Sequence, residues 1–107
     1  TQAPGTFGLV LGAARLTESA WIISRQYGRL TVTVTNPASI IIDRYVIFRK
    51  AGIGAFEALQ EIVGSTVDGS SWIYNDTFLE PGTNYTYRVV ALDILGGTIG
   101  TSNDVTI

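Results

Sequence analysis

The side chains with which this chain could do chemistry are aromatic rings, hydroxyls and scattered carboxylates, because none of its 107 residues is histidine or cysteine. Without histidine, the usual general base and the commonest metal ligand are missing. Without cysteine, thiol nucleophiles, thiolate metal sites and disulfides are excluded. A serine nucleophile has no histidine partner, so a catalytic triad is excluded as well. The composition therefore predicts a protein that is not an enzyme and that carries no cofactor.

The carboxylates show no metal-binding pattern. No two of the aspartates lie at a spacing that forces them together: Asp43, Asp68, Asp76, Asp93 and Asp104. The segment Asp68-Gly69-Ser70 lacks the dense alternating oxygen ligands of a calcium loop, and we interpret it as an ordinary loop. Asp76 is predicted to cap the turn that leads to Pro81, because aspartate side chains accept hydrogen bonds from nearby backbone amides. We therefore expect no metal site.

Two aromatic side chains, Trp72 and Tyr74, are separated by one residue in a predicted strand, and side chains two residues apart share a face. Aromatic rings offer flat apolar faces with a polar handle, which suits stacking on sugars. In one interpretation, these rings form a polysaccharide-binding surface, with Trp21 as a third candidate. In the other, Trp72 faces the core, Tyr74 joins it on that side, and no surface platform exists.

The segment that positions these residues most clearly is 79–92, where a turn signal precedes a strand of period two. Pro81-Gly82-Thr83 is the turn, and the strand that follows places four apolar side chains on one face, namely Tyr85, Tyr87, Val89 and Ala91. A strand with one large apolar face needs a second layer to cover it. The pattern predicts an all-β fold of two packed sheets.

Other strands are predicted where β-favouring residues alternate between turn residues: 6–11, 30–35, 42–50, 56–63, 70–77 and 98–107. Segment 56–63, FEALQEIV, also has the composition of a helix. We favour a strand there, because a helix of two turns is marginal by itself. Segment 13–28 is open to a helix, or to an extra strand near residues 20–24 that turns at 25–28 into the next strand, and the run AWIIS favours the strand.

The corner segment resembles the fibronectin type III family, whose motif has the form Asp-x-x-Leu-x-Pro-Gly-Thr-x-Tyr-x-Tyr-x-Val-x-Ala. The matching residues are Asp76, Leu79, Pro81, Gly82, Thr83, Tyr85, Tyr87, Val89 and Ala91. The resemblance extends over residues 30–107 and implies an immunoglobulin-like sandwich of about seven strands. It also implies that the Tyr85 hydroxyl bonds backbone a few residues upstream and fixes the crossover between the sheets.

One position departs from that family. Val34 stands where the family usually carries a tryptophan on its second strand. Either Trp21 or Trp72 fills that volume from elsewhere, or the core is packed differently.

Composition sets the remaining limits. The chain has the length of one domain, residues 1–107, and because it lacks methionine even at position 1 we expect a module excised from a larger protein. Apolar residues make up 46% and charged residues 15%, which suits a buried core. The net charge is −2, and the basic side chains do not form the stripe that a phosphate backbone would need. Nucleic acid is therefore excluded as a partner. No apolar run approaches the roughly 20 residues that span a bilayer.

Two functions are compatible with these features. The first is a non-catalytic spacer or protein-binding module of a larger extracellular or phage virion protein, such as a tail or baseplate component; the resemblance implies this setting. The second is a carbohydrate-binding accessory module of a secreted bacterial polysaccharide-degrading enzyme, using Trp21, Trp72 and Tyr74.

For protein partners, meaning neighbouring domains or subunits, we expect contact through loops 38–41, 51–55 and 94–97 at one end of the sandwich. Ile40 and Ile41 are the first candidates, because their loop is unusually apolar.

Overall fold

The computed structural model describes residues 7–20, 23–77 and 79–107, and these residues form strands, turns and loops without any helix. The strands are β1 (Gly8–Ala20), β2 (Ile23–Thr35), β3 (Arg44–Ala51), β4 (Glu57–Ile62), β5 (Ser71–Asp76), β6 (Tyr85–Leu92), β7 (Thr98–Thr101) and β8 (Val105–Thr106). In the described ranges there is accordingly no helix long and apolar enough to cross a membrane.

The strands form two antiparallel sheets that pack face to face. The first has the order β1-β2-β5, and the second has the order β4-β3-β6-β7, with β8 also paired to β6. The chain changes sheet between β2 and β3, between β4 and β5, and between β5 and β6. The predicted two-sheet β-sandwich is therefore confirmed, with eight strands in the described residues.

The core between the sheets follows the predicted alternation. In β6, Tyr87, Val89 and Ala91 are completely buried and Tyr85 is 5% exposed. From the other sheet, the buried face of β2 opposes them, while the intervening threonines of β2 point outward. The buried cluster consists of Phe7, Leu9, Leu11, Leu30, Val32, Val34, Tyr45, Ile47, Leu79, Tyr85, Tyr87, Val89 and Ala91.

Trp72, which lies within the described residues, packs against this core. It lies on β5 beside Val32 in the sheet register, and its ring centroid is 4.8 Å from that of Tyr45 on the opposite sheet. Gly64 lies close to the indole: a Cβ on this glycine would stand 2.9 Å from the ring. The indole thus bridges the two sheets from β5, next to the strand that carries Val34.

Segment 56–63 is a strand, as predicted, although its composition suits a helix. It forms β4, the edge strand of the second sheet, and Leu59 and Ile62 pack against the core. Pairing with β3 supplies interstrand backbone hydrogen bonds. A two-turn helix leaves the N–H groups of its first turn and the C=O groups of its last turn without intrahelical partners, so it is marginal by itself. Tertiary pairing here outweighs local propensity.

In segment 13–28 the favoured strand conformation is confirmed, but the predicted turn at 25–28 is wrong. There is neither a helix over 13–20 nor a turn at 25–28, because β1 runs on to Ala20, β2 begins at Ile23, and the two pair continuously. Residues 20, 23 and 24 therefore belong to the ends of one long hairpin instead of an extra strand. The final predicted strand, 98–107, is divided into β7 and β8.

Candidate functional site

Three loops meet at one end of the sandwich, which we call the apolar end: residues 36–43, 63–70 and 93–97. They meet because Arg44 pairs with Leu92 and Thr33 pairs with Ser71, so the strands that carry the loops begin and end at the same level. Loop 51–55, predicted to lie with them, is at the opposite end. There Gly52 N–H donates to Asn84 O at 2.8 Å. The error arises because β3 runs the full length of the sheet between these loops.

The apolar end concentrates exposed hydrophobic side chains. Of the nine large hydrophobic residues exposed in the described chain, six belong to these three loops: Ile40, Ile41, Val63, Val67, Ile94 and Leu95. Ile41 is 87% exposed and Leu95 is 92% exposed. Clustered apolar exposure of this kind marks a surface that contacts another molecule, whereas single exposed residues do not.

Loops 36–43 and 63–70 enclose an open groove of about 400 Å³. Its lining residues are Asn36, Pro37, Ser39, Ile40, Ile41, Ile42, Thr66, Val67 and Asp68. The structure thus brings both predicted residues, Ile40 and Ile41, to the same groove. Asp68 is the titratable residue of this lining, and its Oδ1 already accepts a hydrogen bond from Asn36 N–H at 2.8 Å. The groove therefore offers apolar contact and shape and lacks an acid–base pair.

Asn36 holds the two loops in place. Its Nδ2 donates to Ile40 O at 3.0 Å and to Thr66 O at 2.9 Å, and its Oδ1 accepts from Ile40 N–H at 2.9 Å. Asn36 is 3% exposed, so these bonds satisfy a buried amide. In the sequence, Asn36-Pro37 is typical of a turn that ends a strand. Its clamp role depends on Thr66, thirty residues away, and no local signal indicates it.

Charged and polar groups surround the apolar side chains of this end. Asp93 Oδ1 accepts from Leu95 N–H at 3.0 Å and from Gly97 N–H at 2.7 Å, which holds the third loop. Arg44 forms ion pairs with Asp43 and Glu61, at 2.8 Å and 2.6 Å. We call the ring of polar side chains around these apolar residues the margin. Together with Asp68, it carries more carboxylates than guanidinium groups.

The opposite end is organised by Asp76. Its carboxylate is 5% exposed and accepts hydrogen bonds from the Tyr87 hydroxyl and from Arg49 Nη1, the latter at 2.8 Å. The predicted cap of the turn before Pro81 involves residue 78, which lies outside the described residues, so the cap stays a prediction. Burial, followed by the hydrogen bond to this carboxylate, raises the pKa of Tyr87 above its ordinary value. The group is a structural network between β3, β5 and β6.

Tyr85 takes the position that the resemblance implies. Its hydroxyl oxygen accepts a hydrogen bond from Glu80 N–H at 2.9 Å, and the guanidinium groups of Arg15 and Arg49 lie 5.6 Å and 5.3 Å from its ring centroid. Gly82 has φ of 82°, a conformation that favours glycine, so Pro81-Gly82 makes the predicted turn. Tyr85 therefore ties the corner before β6 to the core.

Replacing Tyr85 with phenylalanine is expected to lower the free energy of unfolding by about 1 kcal/mol, because the Glu80 amide loses its acceptor while the ring contacts remain. Urea unfolding monitored by circular dichroism measures the change. The matched control is Tyr27→Phe, at a half-buried tyrosine on the outer face of β2, for which a negligible change is expected. Equal midpoints for Tyr85→Phe and the wild type would contradict the corner role.

Two of the three aromatic candidates for sugar binding, Trp72 and Tyr74, do not form an exposed platform. Trp72 and Tyr74 both face inward and pack against the core, while Ile73 between them is 59% exposed. Trp21 lies outside the described residues. The alternative in which the core takes the first two rings is thus the one observed.

Within the part of the chain that the structure describes, no three acidic side chains come together as a metal site. Comparison with protein-family models, with curated proteins and with solved structures finds no match to this chain, so its function is inferred from its own residues and their geometry.

Proposed function

We propose that this protein is a non-catalytic interaction module that docks a neighbouring domain or subunit through its apolar end. The observation that carries the proposal is the concentration of six exposed hydrophobic side chains in three loops, beside a groove lined by Ile40 and Ile41. Exposure of this much apolar surface in one place is unfavourable in water, and a partner that covers it stabilises the complex.

The fixed shape of the groove supports docking. Asn36 bonds both loops, and the Tyr45 hydroxyl donates to Ser65 O at 2.7 Å, which ties loop 63–70 to the core. Ser39 has φ of 52°, so the loop is set in a left-handed conformation beside Ile40. A preformed groove loses little conformational entropy on binding.

The charges at the margin indicate the complementary chemistry. Asp43, Asp68 and Asp93 stand near the apolar side chains, against the single guanidinium of Arg44. The partner that fits is a protein segment with an apolar side chain for the groove and basic side chains around it.

The wider setting belongs to the same proposal. The match of the corner residues to the fibronectin type III motif, the Tyr85 hydrogen bond and the three-strand sheet facing a larger one support a module of that type. Such modules serve as spacers and binding domains, and we place this one in a larger extracellular or phage virion protein.

The test is a nuclear magnetic resonance titration of the full chain with short peptides. One peptide carries leucine flanked by arginines and the other carries leucine flanked by glutamates. We expect the basic peptide to shift amide signals of residues 36–43 and 66–68, with a dissociation constant of about 1 mM or tighter. The acidic peptide is expected to bind at least about tenfold more weakly, because the marginal carboxylates repel it.

The paired substitution Ile40→Ser and Ile41→Ser is expected to weaken this binding at least about tenfold, because it removes the apolar contacts. The free energy of unfolding is expected to change by only about 0.5 kcal/mol, because both side chains project from a loop. Ile53→Ser is the control: Ile53 is fully exposed at the opposite end, and its replacement leaves binding unchanged. The proposal fails if neither peptide shifts the groove signals, or if Ile53→Ser has the same effect.

A further inference from the structure

Among the described residues, no strand pairs with the outer edge of β1. β1 is the edge strand of the first sheet, and both β1 and β2 run beyond β5, which pairs only with residues 28–33 of β2. At Leu11 the edge is closed by a side chain: Leu11 N–H donates to Asn103 Oδ1 at 2.9 Å, and Asn103 Nδ2 donates to Leu11 O at 3.0 Å. The edge from residue 13 to residue 19, which we call the β1 edge segment, has no such cover from the described residues.

The contact at Leu11 identifies which groups of the segment point outward. In an antiparallel strand, the N–H and C=O of one residue point to the same side and alternate residues point to opposite sides. The backbone N–H and C=O of Leu11 point away from β2. The backbone groups of four residues further along β1 therefore do the same: Ala13, Arg15, Thr17 and Ser19. None of their N–H or C=O groups has a backbone partner in the described ranges.

We propose that the β1 edge segment pairs antiparallel with the same segment of a second copy of this chain, about a two-fold axis at Leu16. The outward positions 13, 15, 17 and 19 are symmetric about residue 16. In this register residue 13 meets residue 19 of the second copy and residue 15 meets residue 17, and each pair exchanges two hydrogen bonds. A shifted register leaves outward groups unpaired or runs into Asn103 at Leu11.

The side chains on the outer face suit this register. Leu16 is half-buried and pairs in the hairpin with half-buried Tyr27. The two-fold axis places Leu16 beside Leu16 of the second copy, which creates one apolar row across four strands and buries both leucines further. Cross-strand apolar pairs of this kind stabilise antiparallel sheets.

The charges also fit. Within its own hairpin Glu18 pairs with Arg25, and in the proposed register it also lies opposite Ala14 of the second copy, whose hairpin partner is Arg29. Because alanine is short, the long Arg29 side chain can extend over it toward Glu18, twice in the symmetric pair. No two like charges face each other directly. Arg15 keeps its bonds to Thr83 O and Glu80 O within its own copy.

Substitution of Thr17 tests the pairing with little effect on the hairpin. Thr17 N–H points away from β2, so Thr17→Pro removes an outward donor and leaves the β1–β2 ladder intact. We expect sedimentation equilibrium of the full chain, at concentrations up to about 1 mM, to show a wild-type monomer–dimer equilibrium. Thr17→Pro is expected to raise the dissociation constant at least about tenfold, whereas Thr17→Ala, which keeps the N–H, leaves it near the wild-type value.

Charge exchange tests the register. Glu18→Arg and Arg29→Glu are each expected to weaken the dimer, and the double variant is expected to recover most of the loss. The inference is overturned if the wild type remains monomeric over the whole range, if Thr17→Pro associates as well as Thr17→Ala, or if the double variant shows no recovery. A dimer lost instead with Ile40→Ser and Ile41→Ser belongs to the apolar end and also overturns it. The proposed docking function is independent of this result.

Discussion

Replacing Asp76 with alanine is expected to lower the free energy of unfolding by about 3–5 kcal/mol, because it leaves a partly buried guanidinium and a buried hydroxyl without their acceptor. Asp76 is 5% exposed and accepts from both Arg49 and Tyr87. Its removal breaks the ion pair between Asp76 and Arg49 and leaves the positive charge of Arg49 near the core without its partner. A loss of this size is a large part of the stability of a small domain.

Urea unfolding at neutral pH measures the effect, and a second ion pair provides the control. Asp104 binds Arg88 at 2.7 Å, but both side chains are more than a third exposed. Asp104→Ala is therefore expected to cost less than about 1 kcal/mol. Asp76→Asn keeps one acceptor oxygen and should fall between the two. Similar losses for Asp76→Ala and Asp104→Ala would show that the Asp76 network contributes no more than a surface pair.

Replacing Trp72 with alanine is expected to lower the free energy of unfolding by about 3 kcal/mol, the second-largest effect, because it opens a cavity between the two sheets. The indole contacts Tyr45 with ring centroids 4.8 Å apart and packs against the core cluster. Trp72→Phe keeps an aromatic ring at this position and should recover a substantial part of the loss.

The neighbouring residue provides the control for this experiment. Ile73 lies on the same strand but faces outward and is 59% exposed, so Ile73→Ala is expected to change the free energy of unfolding by no more than about 0.5 kcal/mol. The opposite ranking, with Trp72→Ala neutral, would place the indole on the surface. The sugar-binding interpretation would then return for this strand.

The success of the β6 prediction and the failure of the hairpin prediction have the same origin. In β6, alternation is strong because one face is fully buried, so the pattern itself reports the fold. In the distal part of the hairpin, residues 14–19 of β1 and 24–27 of β2, every side chain is exposed or half-buried, and the inside–outside alternation weakens. A strand without a buried face carries little periodic signal, so the long hairpin was not predictable from spacing.

The candidate site divides in a similar way. Ile40 and Ile41 were predictable, because an apolar pair in a loop is visible in the sequence without knowledge of its neighbours. The clamp by Asn36 and the carboxylate network of Asp76 were not predictable, because each depends on partners far along the chain, Thr66 and Arg49 respectively. Loop 51–55 was assigned to the wrong end because spacing alone does not reveal which loops share an end.

The amino-acid sequence by itself determined the fold class, the turn at Pro81-Gly82, the inward face of β6 and the lack of histidine and cysteine chemistry. These properties depend on local geometry or on residue types, which need no partner to be recognised. Tertiary structure alone decided the strand order, the inward position of Trp72, the buried acceptor role of Asp76 and the edge position of β1. Each of these depends on which distant segments pair, and that choice is made by the burial and hydrogen bonding of the whole chain at once.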